Sequence, residues 1–342
     1  MTTQLDCSLG FKKETTYGTA VTVDRFAEFT EESLAREPTF VQGAGMRVGS
    51  RVARSKRRVL VKDQAGGDFT VEMVHKGLGP ILEALFGVAT STLIPAQTGA
   101  YQQLFTPTKT DPLPSYTIQK GIPPIGGGAV TAMTFLGAVC MSGEFSASAA
   151  DIVKLKTTWN AREVKTDIAY AAPSYVVDPE LFHFAQGAIT IGGSQTLPTA
   201  TAPATGGTVA ATIEAFTLTY DNKIDEGGFN LGGGGKRIRK PVVGLADVKG
   251  KVTAEYSDTI LRDAYMNQTP LALTLTFTSP VIIGTSANPV LQIHIPDLRL
   301  EGELPKAAGG SPVKQEIDFT VLDNLLAPLP IYVSLVTTDA AI

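Results

Sequence analysis

The feature that most constrains this chain is a period-two alternation of apolar and polar residues that recurs along its length. Phe69, Val71 and Met73 alternate with Asp68, Thr70 and Glu72, and Phe216, Leu218 and Tyr220 alternate with Thr217 and Thr219. Leu271, Leu273, Leu275 and Phe277 alternate with Ala272, Thr274 and Thr276, and Ile317, Phe319 and Val321 alternate with Asp318 and Thr320. Successive side chains of a strand point to opposite faces, so each segment offers one face to a core and the other to water or an interface. The pattern predicts a mainly β, antiparallel chain. Only Val74 to Phe86 and Asp258 to Asn267 read as helices, the first with Pro80 near its start, where proline is tolerated.

At 342 residues the chain holds one large domain or two modest ones. Its 43% hydrophobic residues suffice for real cores, and its 18% charged residues fall below the usual quarter, the difference being made up by Thr, Ser and Gly. A net charge of −4 is not the footprint of a nucleic-acid binder, although a local basic patch could still bind. No run approaches the roughly 18 apolar residues of a membrane span. The opening MTTQLDCSLGFKKE lacks the basic-then-apolar pattern of a secretory signal, so folding in a cytoplasm is expected. Cys7 and Cys140 form no ligand pair and are read as reduced thiols, Cys140 as a small core residue in TFLGAVCM.

The chain also states one pattern twice. Phe29 opens FTEESLAREP, followed by a basic stretch, GDFTVEM and a helix, while Phe216 opens FTLTYDNKID, followed by GGGGKRIRK, GKVTAEY and a helix. Phe29 to Glu72 is 43 positions and Phe216 to Glu255 is 39. Later, CMSGEFSASAADIVKLKTTW faces RLEGELPKAAGGSPVKQEIDF, and the longer spacing of the first copy is absorbed by an insertion at about 88–128. The expected organisation is a domain at 1–191, a linker or long loop at 192–208 and a second domain at 209–342. Two unrelated hairpin series with similar turns would give the same pattern at this low identity.

Motifs of chemistry fail on inspection. Gly232 to Lys236 resembles a phosphate loop, but the pattern needs Gly at 230 and Ser or Thr at 237, where Asn230 and Arg237 stand. Gly43, Gly45 and Gly49 miss the dinucleotide spacing by one residue. Glu72 and His75 have the spacing used by di-iron carboxylate bundles, which need it twice, whereas the second copy has Glu255 and Asp258. His75, His183 and His294 are scattered, which supports neither a zinc site nor a Ser-His-Asp triad. No enzyme, metal or cofactor is expected.

One charge cluster stands out: Arg47, Arg51, Arg54, Lys56, Arg57, Arg58 and Lys62 run without an intervening acid, and Lys236, Arg237, Arg239 and Lys240 are the counterpart. Each lies near an acidic stretch, Glu28, Glu31, Glu32 and Glu37 in one copy and Asp221, Asp225 and Glu226 in the other. A solvated hairpin and direct DNA contact are two readings. Self-assembly is the third and fits best, because complementary charged arms set register and partner choice.

The opening LGFKKETTYGT, the FTEESL strand, the basic arm, GGDFTVEM with GLGPILEALFG, LPSYTIQKG, the G-E hairpins, and the closing IPDLRLEGELP with IYVSLVTT resemble the tail tube (major tail) proteins of long flexible-tailed, siphovirus-type bacteriophages. The resemblance spans nearly the whole chain as a pattern of order and composition. It implies a mainly β fold of two tandem tail-tube-like β-sandwich or barrel domains, each with one flanking α-helix. It further implies stacked hollow rings around a tape measure protein, with a tail terminator and distal tail or baseplate proteins at the ends, assembled in the bacterial cytoplasm and located in the virion tail. Family members commonly place six one-domain chains in a ring; with a duplicated chain, three would complete a pseudo-sixfold one.

Viral DNA would pass through such a tube without specific binding, and no membrane anchor is expected. A neutral lining of Thr and Ser, poor in Lys and Arg, would let DNA slide. The basic arms are therefore expected to face neighbouring subunits or rings, with Arg57 and Arg58 away from the channel. The alternatives are another ring component, such as a tail terminator or the inner tube of a contractile injection system, or a carbohydrate-binding β-sandwich. The last would need exposed aromatic clusters, whereas the single Trp159 sits in an alternating strand pattern.

Overall fold

The computed structural model describes residues 4–210, 213–256, 259–302, 304–305, 310 and 313–342. Strands dominate, as the alternation requires. The first half contains β1 (Ser8–Lys13), β2 (Arg25–Ala27), β3 (Phe29–Glu32), β4 (Ala35–Arg36), β5 (Thr39–Gln42), β6 (Arg58–Lys62), β7 (Ala65–Glu72), α1 (Gly79–Phe86), β8 (Gly87–Leu93), β9 (Tyr101–Pro107), β10 (Tyr116–Ile122), β11 (Thr131–Ser148), β12 (Lys154–Ala161) and β13 (Glu163–Lys165). The second half contains β14 (Gly187–Ile191), β15 (Gln195–Thr196), β16 (Thr205–Gly206), β17 (Ile213–Asp221), β18 (Asp247–Glu255), α2 (Ile260–Met266), β19 (Leu271–Thr278), β20 (Val290–Gly302), β21 (Lys314–Val321) and β22 (Tyr332–Thr337).

Two long strands organise the molecule, because each leaves one sheet and enters another. The early part of β11 pairs with β10 and β13, and its later part pairs with β12 and β17. The early part of β20 pairs with β19 and β22, and its end pairs with β21. The outcome is a continuous antiparallel run β3–β7–β12–β11–β17–β18–β21–β20, covered by two further layers, β2–β1–β10–β11–β13 and β14–β19–β20–β22–β9–β8. The architecture is sandwich-like, and no sheet closes into a barrel among the described residues.

One core joins the layers. Trp159 is buried, stacked on Phe69 with ring centroids 5.6 Å apart and meeting Tyr116 edge-on at 5.9 Å, and its indole N–H donates to Thr157 Oγ1 at 2.8 Å. α1 lays Ile81, Leu82, Leu85 and Phe86 into this core. Gly143 makes that approach possible, since a Cβ there would fall 2.4 Å from Leu85 Cδ2. α1 starts at Gly79 and not at Val74, because the backbone before it is already used: Met73 N–H donates to Val153, His75 N–H donates to Glu180, and Gly77 then turns with φ +84°. α2 likewise begins at Ile260, and Asp258, the expected start, lies outside the described residues.

The stretch at about 88–128 contains a hairpin of β8 and β9 plus β10. The hairpin joins the sheet of the second half through β9 and β22, whereas β10 is a central strand between β1 and β11. Residues 192–208 fold back as the short β15–β16 hairpin and are pinned to the second half: Ala204 N–H donates to Gln292 Oε1 at 2.6 Å, and Gln292 Nε2 returns a bond to the Ala204 carbonyl at 3.0 Å.

His294 lies beneath this hairpin, 1% exposed. Thr274 Oγ1 donates to Gln195 Oε1 at 2.6 Å, which leaves its lone pairs to accept from His294 Nδ1 at 2.8 Å. Burial pulls the imidazole from 6.5 down to about 4. The unfolded chain therefore takes up this proton first as pH falls, so the stabilisation is complete above about 6.5 and is lost progressively toward about 4. The urea midpoint is expected to drop across that window, and His294→Gln is expected to flatten the drop. An unchanged pH profile in the variant would contradict this.

Candidate functional site: charged arms and open sheet edges

The first basic cluster lies on a projecting ribbon, β5 paired with β6, whose strands are exposed on both faces. Arg58 stacks over Phe40 at 4.7 Å, and the Arg57 side chain lies across Gly43 and Gly45, where a Cβ on Gly45 would collide with its guanidinium at 1.5 Å. Arg47, Arg51 and Lys56 are exposed, and Arg54 is half-buried, its carbonyl accepting from Gln42 Nε2 at 3.1 Å. Apolar residues share the ribbon: Met46, Val48 and Val52 are 99%, 101% and 80% exposed. Apolar side chains this bare are unusual on a protein surface.

The acids near it are engaged elsewhere. Glu32 pairs with Lys120 at 2.9 Å and accepts from the Leu34 N–H, Glu31 accepts from Thr70 Oγ1, and Glu37 accepts from Gln64 Nε2. Glu28 is exposed. Among the described residues no cation of the ribbon forms an ion pair inside the chain.

The second cluster behaves differently, and here the expectation of an exposed arm fails in part. Arg237 is 1% exposed. Its Nε donates to the Gly227 carbonyl and one Nη to the Glu226 carbonyl, both at 2.8 Å; the other reaches Asn160 Oδ1 on β12, and the guanidinium stacks over Phe229 at 5.3 Å. Lys236 is ion-paired with Glu163 on β13, and Lys240 Nζ donates to the Leu113 carbonyl. Arg239 is ion-paired with Asp225, whose carboxyl it holds below its ordinary range, and Lys223 pairs with Asp221 at 2.6 Å. The loop between β17 and β18 is thus seated on the first half: the Gly235 carbonyl accepts from the Asp63 N–H at 2.8 Å, and Lys62 sits over Phe229 at 4.4 Å. The charge pattern locates the loop, but its inward turn depends on Asn160 and Glu163, which no local signal connects to it.

The wet face of the central run is a ladder of charges and hydroxyls. Lys156 pairs with Asp68 at 3.2 Å, Lys249 with Asp247 at 2.9 Å, Lys251 with Glu316 and Lys314 with Glu214. Ser142, Ser146, Thr158, Thr217, Thr219 and Thr253 stand between them. This surface carries lysines among its Ser and Thr side chains, and these lysines are matched by carboxylates.

The run is open at both ends. Among the described residues, β3 pairs only with β7, and residues 299–302 of β20 pair only with β21. Open edges of this kind template pairing with another chain. Among the described residues, no group of three or more His, Cys, Asp or Glu could hold a metal ion, and no helix is long and apolar enough to cross a membrane.

The molecule is a sandwich-like β-protein with an ion-paired face, a bare basic ribbon and, among the described residues, two open sheet edges. A family model described as phage tail tube protein matches residues 4–321, and the chain belongs to that family. It is accordingly a structural protein of the phage virion tail. No curated protein is significantly similar to the chain.

Proposed function

We propose that the chain is the repeating subunit of a siphovirus-type tail tube, and that it consists of two copies of one tube domain, 1–191 and 209–342, joined through 192–208. The observation that carries this reading is a pairing order that occurs twice. In the first half it runs β3–β7–β12–β11 and then, through the early part of β11, to β10–β1 and to β13. In the second it runs β17–β18–β21–β20 and then to β19–β14 and to β22. Registers agree as well: Gly67 faces Trp159 as Gly250 faces Phe319, and Gly143 faces Thr157 as Gly302 faces Ile317. On that alignment Phe29 corresponds to Ile213, each just before a bulge, and not to Phe216.

The copies join edge to edge where β11 pairs with β17. The same joint is available between chains, because the free edge of β20 corresponds to β11 and the free edge of β3 to β17. Repeating it adds two copies per chain; with the six copies per ring that the family resemblance implies, three chains would close a pseudo-sixfold ring, which removes every edge of the central run. Stacking such rings is a contact that does not close on itself and gives a tube. The ladder of matched charges would line the channel, where lysines neutralised by carboxylates leave little net attraction for the phosphates of passing DNA. Tape measure, terminator and distal tail proteins are the partners this reading requires, with assembly in the bacterial cytoplasm.

End-on electron microscopy with native mass measurement tests it. Six-lobed hollow rings of three chains are the expected result, whereas a closed oligomer without a channel would reject the reading. A second expectation concerns the ribbon. Arg57→Glu with Arg58→Glu is expected to change the unfolding free energy by no more than about 0.5 kcal/mol, as exposed substitutions do, while blocking assembly into tubes. Tubes of normal length from the double variant would contradict it.

A further inference from the structure

We propose that the β5–β6 ribbon of one chain seats in the groove beside Gly244–Ala246 and Thr320–Leu322 of a second copy, as the 223–246 loop seats on the first half of its own chain. The inference rests on the tube reading and deepens it by naming a second contact at the joint between chains.

The internal precedent is specific. The 223–246 loop lies between β17 and β18, as the ribbon lies between β3 and β7, and the two are nearly equal in length. The loop presses Gly235 against Val61–Asp63 and sends Arg237 to Asn160. Under the register alignment of β7 with β18 and β12 with β21, Val61–Asp63 corresponds to Gly244–Ala246, and Asn160 corresponds to Thr320. Among the described residues that place in the second half is an open groove of about 600 Å³ whose lining includes Gly244, Leu245, Thr320, Leu322 and Asp323.

The surfaces also match in chemistry. Leu245 in the groove is 93% exposed, and Met46, Val48 and Val52 of the ribbon are equally bare. The groove carries Asp111, Asp247 and Asp323 against Lys109, with Asp247 already paired with Lys249, whereas the ribbon from Arg47 to Lys62 holds cations and no acid. Arg54 stands nine residues before Asp63, as Arg237 stands nine before Ala246. The Nε of Arg54 is buried without a hydrogen-bond partner, whereas that of Arg237 is satisfied by its seat.

Counting the same way, Val52 corresponds to Gly235 and meets Leu245 of the second copy. Val52→Cys with Leu245→Cys, in a Cys7→Ser background that leaves only the buried Cys140, tests this directly. After mild oxidation of assemblies verified by electron microscopy, more than half of the chains are expected in interchain disulfides, at least tenfold above either single-cysteine variant. Rings or tubes without that excess would overturn the seat and leave the tube reading standing. A parent protein that forms neither rings nor tubes would overturn both. Independently, Leu245→Arg, which sets a further cation against the cationic ribbon, is expected to raise the critical concentration for assembly at least tenfold with an unchanged unfolding midpoint, and an unchanged critical concentration would overturn the seat.

Discussion

Replacing Leu304 by Asp is expected to leave the subunit folded and to abolish its assembly. Leu304 follows Gly302 by two residues, as Phe145 follows Gly143. Phe145 is 1% exposed and faces Leu218 across the internal joint, whereas Leu304 is 49% exposed at the free end of β20. If the joint between chains repeats the internal one, Leu304 becomes buried there. An unpaired carboxylate in that place costs several kcal/mol, and each 1.4 kcal/mol is tenfold in association. A loss of at least a hundredfold in assembly is therefore expected, read by sedimentation and electron microscopy. Urea unfolding of the monomer should shift by less than about 1 kcal/mol, as for a partly exposed position. Normal tubes from the variant would sink the proposed joint.

Arg237→Ala is expected to cost about 3 kcal/mol in unfolding free energy, because breaking a buried, hydrogen-bonded charge strands its partners. Two carbonyls and Asn160 Oδ1 would lose their donor, and Phe229 would lose its stacked cation. Trp159 neighbours Asn160, and as the single tryptophan its fluorescence reports the change during urea titration. Arg237→Lys should fall between the two proteins, since an ammonium cannot reproduce the fork of bonds. A variant as stable as the parent would mean that the loop is held by Lys236–Glu163 and the Gly235 contact alone.

Local pattern and long-range contact divide these features unevenly. Alternation alone assigns Phe69, Leu218, Phe277 and Phe319 to buried strand faces, and each is buried. The basic ribbon was equally legible, because a run of cations without acids is visible in any window that spans it. Arg237 was not: on a Gly-rich stretch it reads as one more exposed cation, and its burial is set by Asn160, 77 residues away. The start of α1 was misplaced for a related reason, since the backbone of Met73 and His75 is claimed by Val153 and Glu180, far along the chain.

By itself the sequence determined strand content, the identity of the buried faces and the charged ribbon, because period-two alternation and charge runs are local and act wherever the chain folds. Only the tertiary structure decided that β11 and β20 each serve two sheets, that β11 pairs with β17, and that β3 and the end of β20 are left open. Those outcomes depend on pairings between segments distant in sequence, and a strand's alternation specifies which face it buries but not which edge it will meet.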